Sequence, residues 1–198
     1  MFSLSSIYFY KLFQLANSPK TKPRHKVIIL ERLNIIIYEE KGVSEKSEKI
    51  SESLLENLVF VFNHNTDEGS GYNTAIRKKI CLMLSHYDST DLAPKAIDSL
   101  KGFVEKEKNP DVKETCVASL GQFERNAETT NKILLELLNK ELKKKKVNEE
   151  DVMITSSIIT ALGNLKQKSS YIPLMKVLES KYPVDVKNTA KAILETNY

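Results

Sequence analysis

The side chains that could carry chemistry in this chain are few, and their spacing does not assemble a reaction centre. His25, His64 and His86 do not fall at the i and i+4 spacing that puts two imidazoles on one helical face around a zinc ion. Asp67 and Glu68 are adjacent carboxylates, but residues 66–71 lack the alternating oxygen ligands of a calcium loop and read as solvated loop. Serines next to charged residues have no base arranged to activate them, and no glycine-rich phosphate loop follows a strand pattern. Cys81 and Cys116 form no CxxC motif, and both fall in apolar helical stretches, so they read as small buried thiols and not as a redox, zinc or disulfide framework. No catalytic, metal or cofactor-binding residue is assigned, and the chain reads as a non-enzyme.

Basic residues are the next candidates, because phosphate recognition needs a continuous cationic track. The formal net charge is +4. Lys11, Lys20, Lys22, Arg24 and Lys26 account for more than all of it, and residues 1–26 contain no acid. The remainder is therefore close to neutral, which argues against a broadly basic surface. Arg77, Lys78, Lys79, Lys113 and Lys187 offer only a sparse track. Lys143, Lys144, Lys145 and Lys146 form the densest local run, but it fits a helix C-terminus followed by the acidic start of another helix. Tyr72, Tyr87, Tyr171 and Tyr182 lie near helix ends, where they would cover ridge edges with hydroxyls in water or anchor an extended peptide.

These residues must be positioned by helices, because the dominant pattern is helical and repeated. Apolar or small residues recur at offsets 0, 4 and 8 in Ile76-Ile80-Leu84, Val112-Cys116-Leu120, Ile154-Ile158-Leu162 and Val186-Ala190-Leu194. That spacing is one face of an α-helix. The face returns after 36, 42 and 32 residues, a period suited to stacked helical hairpins. Helices are expected over 25–39, 47–62, 72–86, 92–106, 111–123, 128–144, 150–165, 171–178 and 184–195. Asn109-Pro110-Asp111 makes a compact turn, with Asp111 as the expected N-cap and Asp185 in the same role further on. Asp88 and Asp91 are placed to cap the helix that follows them. Cys116, Ala118, Ala190 and Ala192 are small enough to let helices approach. Gly121 and Gly163 suit a chain leaving its helix, where a left-handed residue is common.

Asp111-Val112-Lys113-Glu114-Thr115-Cys116-Val117-Ala118-Ser119-Leu120-Gly121 resembles the second helix of a HEAT repeat, including the bacterial HEAT-like form. Asp185-Val186-Lys187 repeats its opening and Ala161-Leu162-Gly163 its close. The resemblance covers roughly residues 48–198. Thr155 replaces the basic residue after the first apolar position, while Ser85 and Glu195 replace the terminal Gly, so any Asp-basic ladder is interrupted. An armadillo unit needs more chain per repeat, and a tetratricopeptide array needs a stricter period and a Trp-containing pattern that is missing.

The resemblance implies an all-α, right-handed solenoid of about four to five antiparallel helix pairs. Residues 1–24 would form a basic, aromatic-containing N-terminal segment or cap, and residues 25–198 the repeat domain. The function implied is that of a non-catalytic scaffold or adaptor binding a protein partner through the curved surface of its second helices, and the cytoplasm is expected because the N-terminal stretch makes a poor export signal. Candidate contacts are Arg77, Lys78, Lys113, Glu114, Thr155, Lys187 and Lys191, with Lys143 to Lys146 as a secondary basic patch. The alternative is a nucleic-acid-binding protein, with or without the activity of the base-processing glycosylases that resemble this architecture. The apolar stretch from Phe2 to Tyr10 is too short and broken to span a bilayer. It leaves export or membrane association through the N-terminus open, beside roles as a cap, a docking element or a misassigned start.

Overall fold

The computed structural model describes residues 8, 11, 12, 14–16, 18–39, 46–65 and 71–198, with the backbone alone for residues 23, 34–39, 46–51 and 53. The expected roles of Phe2 to Tyr10 and of the 66–70 loop fall outside these residues, apart from Tyr8, which is helical and exposed. All regular structure among the described residues is helical. The α-helices are α1 (Pro23–Glu39), α2 (Lys46–His64), α3 (Gly71–Ser85), α4 (Ala93–Lys106), α5 (Pro110–Leu120), α6 (Ala127–Leu142), α7 (Glu149–Leu165), α8 (Tyr171–Leu178) and α9 (Val184–Asn197). Single 3₁₀ turns occupy His86–Ser89 and Lys168–Ser170. The helices begin and end within a few residues of the positions expected from periodicity.

The chain divides into two compact units, Met1–Tyr87 and Asp88–Tyr198. In the first, α3 packs against both α1 and α2. Its core takes Leu30 and Leu33 from α1, Leu54, Leu55, Leu58, Val61 and Phe62 from α2, and Ile76, Ile80, Met83 and Leu84 from α3. The Lys79 ammonium lies 3.3 Å from the Glu31 carboxylate, joining α3 to α1 at the surface. Helix α2 ends where Asn65 turns its amide back to the Val61 carbonyl at 2.5 Å, occupying an acceptor that the last turn leaves open.

The second unit consists of three hairpins, α4/α5, α6/α7 and α8/α9, stacked in chain order. Each hairpin packs internally, α7 packs against both α5 and α9, and α6 packs against α8. The second helices therefore make a continuous row. Burying the apolar face of each hairpin against the next removes far more oily surface from water than one hairpin can alone, and each buried Leu or Ile contributes about 1.5–3 kcal/mol.

All twelve residues of the repeated register are buried. Cys81 and Cys116 are fully buried, but both are disulfide-bonded, which corrects the expectation of two buried thiols outside any disulfide: apolar helical spacing reports burial and not whether the sulfur is oxidised. The small-residue expectation is met only in part, because Ala190 is buried while Ala118 and Ala192 face solvent.

The hydrogen bonds between hairpins also run across about one repeat. Asp88 does not cap α4, whose first residues have no side-chain cap. Instead its carboxylate accepts from the Arg125 N–H at 2.9 Å and from the Asn126 amide at 2.9 Å, tying the start of α6 to the turn before α4. Asn131, buried in α6, donates to Ser169 Oγ at 2.9 Å and accepts from Ser170 Oγ at 2.7 Å. Ser157 Oγ donates to the Glu114 carbonyl at 3.3 Å.

The helix starts correct a second expectation. Asn109, not Asp111, caps α5, its Oδ1 accepting from the Val112 N–H at 3.2 Å. Pro110 fits the first helical position because it has no N–H to leave unpaired. Asp185 likewise lies within the first turn of α9, after an N-cap position held by Pro183. The two aspartates still favour the positive end of each helix dipole, but they do not close its N–H groups. The full capping box is at α7, where Asn148 Oδ1 accepts from the Asp151 N–H and Asp151 Oδ2 accepts from the Asn148 N–H.

Candidate functional site

The repeated register leaves one face of each second helix for contacts outside the core. On α5 with the turn that follows it, on α7 and on α9, that face carries Ala118 and Gln122, Thr160 and Asn164, and Ala192 and Thr196, all exposed. These are small or uncharged polar side chains. Near their C-terminal ends the three helices line one open groove of about 530 Å³. Gly121 and Gly163 are among its lining residues, with Gln122, Thr160, Asn164, Thr196 and Asn197 supplying amide and hydroxyl groups. Glu124 and Lys166 contribute one charge of each sign.

The glycines have a different role from the one expected. Neither has a positive φ, and Gly121 caps α5 at φ −70°, an ordinary helical value. A Cβ on Gly121 would come within 2.7 Å of both the Cα and Cβ of Ala161. A Cβ on Gly163 would come within 2.8 Å of the Ile193 side chain. Both positions permit close approach between successive second helices. The one left-handed residue among those described is Lys166, which ends α7 at φ 51°.

Carbonyl groups at this end bear the negative pole of the helix dipoles. Part of that acceptor capacity is used within the protein, since the Asn197 amide donates to the Gly163 carbonyl at 2.7 Å. The arrangement offers acceptors and mixed hydroxyl and amide groups, with no concentration of positive charge.

The expected contact residues do not gather on this face. Arg77 is 3% exposed and Thr155 is 0% exposed, so both belong to packing and not to an outer surface. Lys78, Lys113, Glu114 and Lys187 are half-buried, and Lys191 is exposed with its ammonium 3.8 Å from Glu195. The position directly after the first repeated apolar residue points partly inward, which one-dimensional spacing placed at the edge of the exposed face. The polar ladder Thr160, Asn164 and Thr196 was missed because uncharged side chains give no sequence signal beyond their distance from the apolar stripe.

The lysine run is also divided by its environment. Lys143, Lys145 and Lys146 are exposed, whereas Lys144 is held 2.6 Å from Glu141 and 2.5 Å from Asp151. Burial would lower the Lys144 pKa, but hydrogen bonds and charges from Asp151 and Glu141 outweigh it and hold the ammonium above its usual range. For Asp151, burial acts to raise the pKa, while Lys144 and the Asn148 N–H together hold it below the ordinary carboxylate range. Tyr182, nearly fully buried, sets its hydroxyl 3.3 Å from the Glu141 carbonyl, and burial raises its pKa. This cluster locks the α6/α7 turn to the following hairpin.

Tyr87 is buried too, and burial drives its phenol well above the usual range. Tyr72 and Tyr171 do lie exposed at helix starts. Among the described residues no group of three or more His, Cys, Asp or Glu side chains is placed to hold a metal ion. No helix among them is long and apolar enough to cross a membrane. Comparison of the chain with family models, curated proteins and solved structures finds no match in any of the three.

Proposed function

We propose that this protein is a non-catalytic, HEAT-like, right-handed helical-repeat scaffold that holds a protein partner on its second helices. The observation that carries this reading is the groove shared by α5, α7 and α9, because one ligand lying there touches three consecutive repeats. An extended polypeptide suits it. Its N–H groups find helix-end carbonyls and side-chain oxygens, while a phosphate chain would meet the negative ends of three helix dipoles. The burial of the whole repeated register supports a rigid spacing between those contacts.

The test is affinity capture from the protein's own cells, comparing the intact chain with the double variant Thr160→Arg and Asn164→Arg. Both positions are exposed, so helicity and melting temperature should be unchanged. Loss of a specific protein partner from the variant is the expected result. Undiminished capture by the variant would overturn the groove as the contact surface. Co-purifying nucleic acid that is released steeply by salt would favour the alternative reading.

A further inference from the structure

Helices α4, α6 and α8 open the three hairpins, and buried residues can be matched in order: Leu100 and Val104 in α4, Leu134 and Leu138 in α6, then Ser170, in the turn just before α8, and Leu174 within it. Under that match the outer positions correspond as well. Gly102 and Glu105 in α4, and Glu136 and Asn139 in α6, become Ile172 and Met175 in α8. Ile172 is 61% exposed and Met175 is 38% exposed. The α8/α9 hairpin packs on α6 and yet leaves Glu136 and Asn139 in solvent. A further hairpin laid on α8 in the same way would leave Ile172 and Met175 uncovered. Repeat stacking therefore does not account for two large apolar side chains at this place.

We infer that this face of α8 pairs with the same face of a second copy of the chain, the two helices running antiparallel about a twofold axis. The side chains around the apolar pair are self-complementary about a point midway between residues 172 and 175. Ile172 then meets the partner's Met175. Lys168, in the turn before α8, meets the partner's Glu179, the residue that caps its C-terminus, and the exposed Tyr171 ring meets the partner's Lys176, a cation over an aromatic face. Each contact occurs twice. Tyr171 is already held in place, because its ring packs edge-on against Tyr198 at 5.8 Å, and the Tyr198 hydroxyl donates to the Gln167 carbonyl at 2.9 Å. A contact made by one short helix lies at the small end of specific interfaces, so the dimer is weak and concentration-dependent. This inference is independent of the groove on α5, α7 and α9 and stands or falls without it.

Sedimentation velocity of the full chain from low micromolar to near-millimolar concentration tests the inference. The expected result is a shift from monomer to dimer that Ile172→Glu with Met175→Glu abolishes, with unchanged circular dichroism. Lys168→Glu and Glu179→Lys should each weaken dimerisation several-fold, because each places like charges opposite one another. An equimolar mixture of those two variants should recover it, since each then supplies the charge the other lacks. A monomer at all concentrations would overturn the inference. So would a dimer indifferent to the Ile172 and Met175 substitutions, or a mixture that fails to associate better than its components.

Discussion

Gly121 of α5 lies directly against Ala161 of α7, so close that a methyl group on the glycine would overlap the alanine at 2.7 Å. The contact then recurs one hairpin later between Gly163 of α7 and Ile193 of α9. In both cases the glycine stands nine residues after the first repeated apolar residue, and its neighbour stands seven after its own. Recurrence of one contact at matching offsets is what in-register stacking of equivalent helices produces.

The two glycines should respond differently to a methyl group. Gly121→Ala pushes against the backbone of Ala161, which cannot rotate away, and should cost about 1–3 kcal/mol by the usual penalty of overpacking. Gly163→Ala meets the Ile193 side chain, so it should cost less, and Ile193→Val should relieve part of it. Urea unfolding of the single and double variants measures both effects. Equal losses at the two positions would contradict the distinction.

The capping residues give a second contrast. Asn148→Ala removes one half of a reciprocal box and should destabilise by about 0.5–2 kcal/mol. Asp111→Ala, within the first turn of α5 but outside its cap, should lose only the dipole term of about 0.3–1 kcal/mol. Thermal melts at low and high salt separate the two, since only the dipole term should fade with screening.

The Lys144 cluster predicts a pH dependence with a definite sign. Asp151 has a depressed pKa, so its contribution is present above the unfolded carboxylate value near ~4 and is lost as pH falls through the lower folded value. Lys144 has a raised pKa, so its contribution is complete below the unfolded lysine value near ~10.4 and is lost as pH rises through the folded one. The benefit should therefore persist across neutral pH. Melting temperatures of the native chain and Asp151→Asn should converge in acid and differ at pH ~7.

Asn131 should be intolerant of apolar replacement although it is surrounded by a helical core. Its amide both donates to Ser169 and accepts from Ser170, so Asn131→Leu would leave the buried Ser170 hydroxyl without that partner. The cost should be about 1–3 kcal/mol. Replacing Ser170 by Ala in the same chain should recover part of it, which a double-mutant cycle by urea unfolding would reveal.

The sequence by itself determined the helices and the face each one buries, because a 3.6-residue period and the transfer of apolar side chains from water are local and additive. Ile76, Val112, Ile154 and Val186 announced their burial through spacing alone. Tertiary structure decided which polar positions are surface and which are joint. Arg77 and Thr155 disappear into packing, Asp88 reaches the next hairpin and not the next helix, and Lys144 is separated from its exposed neighbours by Glu141 and Asp151. Those outcomes depend on which helices lie against one another, and no single helix encodes that; between α5, α7 and α9 the approach is close because Gly121 and Gly163 have no side chain.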